Sequence, residues 1–145
     1  MTVRAETSTF RVILSWLQGL YFLSTGAWPL VSVESFQRVT GPKSDHLIAG
    51  PPTEADHWML YTISALIIAI SLVILTAAAR RRITFDICLL GILSAGALTT
   101  IDIVYVARGT IAPIYLGDAA VEVVLILAWT RALLSGGIRD SPLSE

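Results

Sequence analysis

The sequence predicts an all-α integral membrane protein, an antiparallel up-down bundle of four transmembrane helices with both termini in the cytoplasm. Three observations carry that expectation. Hydrophobic residues make up 54% of the 145 and the mean hydropathy is +0.72, above what a soluble domain of this size carries. Four apolar stretches reach the roughly 20 residues that a helix needs to cross a hydrocarbon core about 30 Å thick. The arginines gather at one end of those stretches.

The first span is expected over about 12–30. Arg4 and Arg11, the apolar run from Val12 to Leu23 and the small residues Ser24, Thr25, Gly26 and Ala27 after it make a pattern that also suits a secretory signal; with Met1 heading the chain, the segment is expected to stay as a span. The stretch 31–52 holds Gly41-Pro42, Gly50 and Pro51-Pro52 and reads as an extracytoplasmic loop. The second span is expected over about 58–79, with Thr53 and Asp56 resembling a capping box before it. Only 80–83 separate it from the third span, about 85–106, and so short a link joins only antiparallel neighbours. Thr84 and Asp86 are placed to cap that third helix. Gly109 and Pro113 bracket the next turn, and the fourth span, about 114–134, ends before Gly136-Gly137. The whole is one domain, without an internal repeat.

Arg4, Arg11, Arg80, Arg81, Arg82, Arg131 and Arg139 fall on one side of these spans, and Arg38, Lys43 and Arg108 on the other. The richer side is therefore cytoplasmic, and the arginine triplet acts as a topology determinant. Trp16, Trp28, Trp58 and Trp129 lie near span ends, where indole rings favour the headgroup region.

A net charge of -1 provides no basic footprint for nucleic acid, which is excluded as a partner. Cys88 is the only cysteine, so neither an internal disulfide nor a CxxC redox pair is available. Haem is disfavoured because neither histidine falls inside a span. No cofactor is indicated.

Ionisable groups inside a bilayer are costly and therefore mark function; here they are Asp102, Asp118 and Glu122. At about 1.5 Å per residue, Asp102 and Asp118 fall roughly one turn inside the outer ends and Glu122 about two turns. Asp118 and Glu122, four apart, share a face that Leu125 and Trp129 continue. On the third helix Cys88, Gly91, Ala95, Thr99 and Asp102 form a stripe of small or polar residues suited to close packing. Like charges in one apolar space oppose each other's ionisation, which predicts a proton-exchanging or cation-accepting cavity open to the outside. Equally, Arg108 pairing with Asp102 or Asp118, with Tyr105 or Tyr115 on the remaining oxygens, makes a purely structural network.

Ser15, Gly19 and Gly26, with Gln18 and Thr25 beside them, read as a packing surface on the first helix, with Gln18 also a substrate-lining amide. Asp45-His46 and Asp56-His57 bring oxygen and imidazole ligands that suit zinc, manganese or non-haem iron. Their spacing matches no metal signature, and both histidines serve equally as interfacial or capping residues.

The run Thr25-Gly26-Ala27-Trp28-Pro29-Leu30, followed by Ser35-Phe36-Gln37-Arg38-Val39-Thr40-Gly41-Pro42-Lys43 and Asp45, resembles a pattern in an uncharacterised family of small bacterial four-span membrane proteins. Ile101-Asp102-Ile103-Val104-Tyr105-Val106-Ala107-Arg108 and Pro113-Ile114-Tyr115-Leu116-Gly117-Asp118, with Glu122, are similar as well. The resemblance implies residence in a bacterial inner membrane. A looser similarity, in helix number and acidic residues, is to four-helix sterol-isomerase and sigma-2-receptor-like proteins, which bind amphiphilic amines or sterols.

The leading expectation is binding of a small cationic or amphiphilic molecule, or of protons, over a floor of Asp102, Asp118 and Glu122, with Arg108, Tyr105 and Tyr115 as orienting groups. A lipid- or isoprenoid-modifying enzyme is the first alternative, with Glu122 or Asp118 as general acid-base and His57 as its partner. The second is an accessory subunit that docks on another membrane protein. Expected partners are membrane lipids, an amphiphilic ligand, a second copy or a membrane-protein partner.

Overall fold

The computed structural model describes residues 8–40 and 54–135, which form five helices and no strand: α1 (Thr9–Val31), α2 (Val33–Thr40), α3 (Glu54–Ala79), α4 (Phe85–Ala107) and α5 (Tyr115–Ser135). Two of them, α3 over His57–Ala79 and α4 over Phe85–Ala107, are long and apolar enough to cross a membrane. Only 28% and 22% of their most apolar windows is buried, which is the reverse of a soluble protein's core helix. α1 carries Arg11 and Gln18, and α5 carries Asp118, Glu122 and Arg131; both are more polar and pack along the other two.

α1 lies chiefly along α3, α4 along α5, and α1 also meets α5. The contacts give the directions. Arg11 meets Ala132 and Tyr21 meets Asp118, so α1 and α5 run oppositely. A Cβ on Gly19 would stand 2.6 Å from the Leu75 side chain, and one on Gly26 would stand 3.1 Å from the Ser64 carbonyl oxygen. α1 and α3 are thus antiparallel as well, and the missing side chains let their backbones close.

The short α2 occupies part of the stretch expected to be loop. Ser32, in extended backbone, accepts from the Ser35 N–H at 3.2 Å through its hydroxyl, an N-cap. The Trp28 indole N–H donates to Ser35 Oγ at 2.8 Å and the ring meets Phe36 edge-on at 5.8 Å. A Glu34–Arg38 pair at 3.3 Å adds an i,i+4 contact. These local bonds make a helix that hydrophobic periodicity over a window of eight residues cannot announce.

Both tight links end in the same 6→1 and 5→2 hydrogen-bond pattern. Arg82 N–H donates to Ala77 O and Arg81 N–H to Ala78 O, both at 3.0 Å; Thr110 N–H donates to Tyr105 O at 3.0 Å and Gly109 N–H to Val106 O at 2.9 Å. The left-handed position is Gly109 in one link, φ 72°, and Arg81 in the other, φ 50°. Thr84 does stand at the N-cap of α4, but its side chain makes no capping bond, so that expectation is corrected. Thr53, Gly136 and Gly137 lie outside the described residues.

Candidate functional site

The buried faces of the helices carry polar groups, while large apolar side chains such as Leu66, Leu72, Leu93, Val124 and Leu127 point outward. On α4 the buried residues are Cys88, Gly91, Ala95, Thr99 and Asp102, the stripe expected from the sequence. On α5 they are Ala119, Glu122, Leu125, Trp129 and Ala132, with Asp118 half-buried near the N-terminal end of the same face.

Where the start of α1 meets the end of α5, Arg11 donates from Nε at 3.3 Å and from Nη2 at 2.7 Å to Ala132 O. That carbonyl belongs to the last described turn of α5. One layer outward, Gln18 Nε2 donates to Gly91 O at 2.9 Å, and Trp129 Nε1 donates to Gln18 Oε1 at 2.5 Å. The amide thus ties α1, α4 and α5 together. A Cβ on Gly91 would fall 2.7 Å from Trp129 Nε1 and 2.8 Å from Gln18 Oε1, so only glycine fits beside this knot. Ser71 Oγ, donating to Gly19 O at 2.8 Å, brings in α3.

Two expectations change here. Trp129 is fully buried and is no interfacial anchor, because Gln18 gives its N–H a partner inside the bundle. Gln18 has both ends of its amide committed to the protein, so it acts as a brace and does not line a substrate site. Trp16, Trp28 and Trp58 are exposed.

Beyond the knot Asp102 lies on the buried face of α4 and Glu122 on that of α5, with Asp118 one turn from Glu122 on the same face. Glu122 is 0% exposed and Asp102 8%. Both oxygens of Glu122, Oδ2 of Asp102 and Oγ1 of Thr99 are buried with no hydrogen-bond partner. Thr99 stands one turn from Asp102 on the same buried face of α4. Asp118 accepts a hydrogen bond from the Tyr21 hydroxyl of α1.

The other expected site residues lie elsewhere. Arg108 is exposed, its guanidinium 5.6 Å from the Tyr105 ring centroid, and among the described residues it forms no ion pair with Asp102 or Asp118. Tyr105 is itself exposed and Tyr115 half-buried. Among the described residues the pairing of Arg108 with an aspartate is therefore not the arrangement found, and the hydroxyl that meets Asp118 is that of Tyr21. His57 is half-buried at the outer end of α3, 6.2 Å from the Tyr61 ring. Asp45 and His46 lie outside the described residues, as does the side chain of Asp56. Among the described residues no group of three His, Cys, Asp or Glu is disposed to hold a metal ion.

Tyr21 is the residue that sequence reasoning missed. A tyrosine within an apolar run reads as one more aromatic, and only the α1–α5 register brings its hydroxyl to Asp118. The available signal was the hydroxyl itself, which when buried seeks a partner.

No protein-family model matches the chain, and neither a curated protein nor a solved structure is significantly similar to it.

Proposed function

We propose that the chain is a multi-pass protein of a bacterial inner membrane that binds protons, or a small cationic or amphiphilic molecule, between Glu122, Asp118 and Asp102. In this reading α1, α3, α4 and α5 cross the bilayer as an antiparallel bundle with both termini cytoplasmic. The observation that carries it is Glu122, fully enclosed, with both carboxyl oxygens unpartnered and Asp118 one turn away on the same face of α5.

A buried polar atom left without a partner costs roughly 1–3 kcal/mol, and an ionised carboxylate in a low-dielectric interior costs more. A proton or an ammonium group supplies what this cluster lacks on both counts, a positive charge and N–H or O–H donors for the unpartnered oxygens. Tyr21 donates to Asp118 and so orients that carboxylate. The half-buried position of Asp118 at the outer end of α5 supports access from outside. The Gln18–Trp129–Gly91 knot beneath supports a floor closed toward the cytoplasm.

A hydrophobic carbodiimide, which adds to carboxyl groups in their protonated form, tests the reading in native membranes. The expected result is a mass adduct on Glu122 that a long-chain alkylammonium ion suppresses and that Glu122→Gln abolishes. A folded protein with no adduct at Glu122, or an adduct indifferent to the cation and to pH, discards it.

A further inference from the structure

Where the inner ends of α1 and α5 meet, a groove of about 690 Å³ is lined by Arg11, Arg131 and Ser135 on its polar side and by Val124, Leu127 and Ala128 on its apolar side. The α5 residues descend one face of the helix, apolar at mid-span and polar at the end. Val124 stands seven residues above Arg131, about 10 Å of apolar wall at the helical rise. Arg11 is held in orientation by its two hydrogen bonds to Ala132 O, and Arg131 is exposed beside it.

From this layout we infer that the groove is a site for one anionic phospholipid, its phosphate against Arg131 and Arg11 and an acyl chain along Leu127 and Val124. Charge complementarity selects the occupant. Among the described residues the groove has two guanidinium groups at one end and no carboxylate in its lining, and planar guanidinium forks match phosphate oxygens. The apolar wall continuous with them suits a chain attached to that phosphate and gives a free anion nothing. The inference shares only the membrane setting with the acidic cluster, so either can fail without the other.

The purified full chain is incubated with equal amounts of phosphatidylglycerol and phosphatidylcholine and the retained lipid is read by native mass spectrometry. One phosphatidylglycerol should be retained in preference. Arg131→Gln should reduce its retention about fivefold, the scale of one cationic side chain near a lipid surface, whereas Arg108→Gln at the outer end should leave it unchanged. Leu127→Trp fills the groove without altering charge and should also abolish the preference; Leu127 is 64% exposed, so the fold is spared. Equal retention of both lipids overturns the site. So does phosphatidylglycerol binding that survives Leu127→Trp, or competition by inorganic phosphate as effective as by lipid, since either reduces the groove to a surface charge. A gain in lipid binding on deletion of residues 1–7 would make that segment the occupant and overturn it too.

Discussion

Gln18 shows how one side chain sets the interior of this protein. Its amide offers a donor and an acceptor, and both are used, on Gly91 O and Trp129 Nε1, so three helices are fixed in register by a group that an apolar medium would otherwise penalise. Gln18→Leu leaves the Trp129 N–H and the Gly91 carbonyl without this partner, and is expected to lower unfolding stability in detergent by roughly 1–3 kcal/mol. Gly91→Ala forces the same knot apart from the other side, at a cost of about 1–3 kcal/mol for overpacking. Because both changes strike one set of contacts, the double variant should lose clearly less than the sum of the two. Additive losses in a thermal-unfolding cycle would mean that the knot is not a unit. Mid-span glutamine was legible in the sequence as a group needing a partner; which partner it takes depends on the offset of α1 against α4 and α5, and no local pattern encodes that offset.

At the scale of the element, the links after α3 and α4 use the same hydrogen-bond closure with different residues at the left-handed position. Gly109 adopts φ 72° without a Cβ to object, and a Cβ there would meet nothing within 4 Å, so Gly109→Ala isolates the backbone cost, about 1–2 kcal/mol. Arg81 holds φ 50° with a full side chain. Arg81→Gly should relieve that strain and raise the unfolding free energy, read by denaturant titration, by about 1 kcal/mol less the added entropy of the unfolded glycine. A fall in stability for Arg81→Gly would show that its side chain matters more than its backbone. The helix faces were the most legible part of the fold. The 3–4 spacing of Cys88, Gly91, Ala95, Thr99 and Asp102 matches the buried face of α4 residue for residue, since small side chains are where a neighbouring helix can approach. α2 was not legible, because its stability rests on the Ser32 cap and the Trp28–Phe36 contact, which join it to the end of α1 and leave no periodic signature.

Across the described residues the distribution of polarity is partly inverted, with Gln18, Ser15, Ser71, Thr99, Asp102 and Glu122 inside beside Leu14, Phe22, Ile74 and Leu125, and many leucines and isoleucines outside. In the proposed orientation, cysteines placed singly at Thr110, Arg82 and Ser135 in a Cys88→Ser background should react differently with an impermeant maleimide. Thr110→Cys should label from outside, and the other two only after the membrane is opened; any other pattern breaks the four-span reading. The same inversion separates a structural from a functional role for the acidic cluster. The polar groups of the knot satisfy one another, so removing them should destabilise. The cluster does the opposite: Glu122 has two buried oxygens without partners, with Asp118 one turn away on the same face. Replacement of such a buried ionisable group by an apolar side chain of similar volume is often neutral or stabilising, by about 1–4 kcal/mol. Glu122→Leu is therefore expected to raise the thermal midpoint by several degrees while abolishing carbodiimide labelling and its suppression by alkylammonium, and Glu122→Gln should abolish labelling with little gain. A loss of stability for Glu122→Leu as large as that for Gln18→Leu would identify Glu122 as a member of the packing scaffold, because only a group that the fold tolerates for another purpose becomes more stable when it is removed.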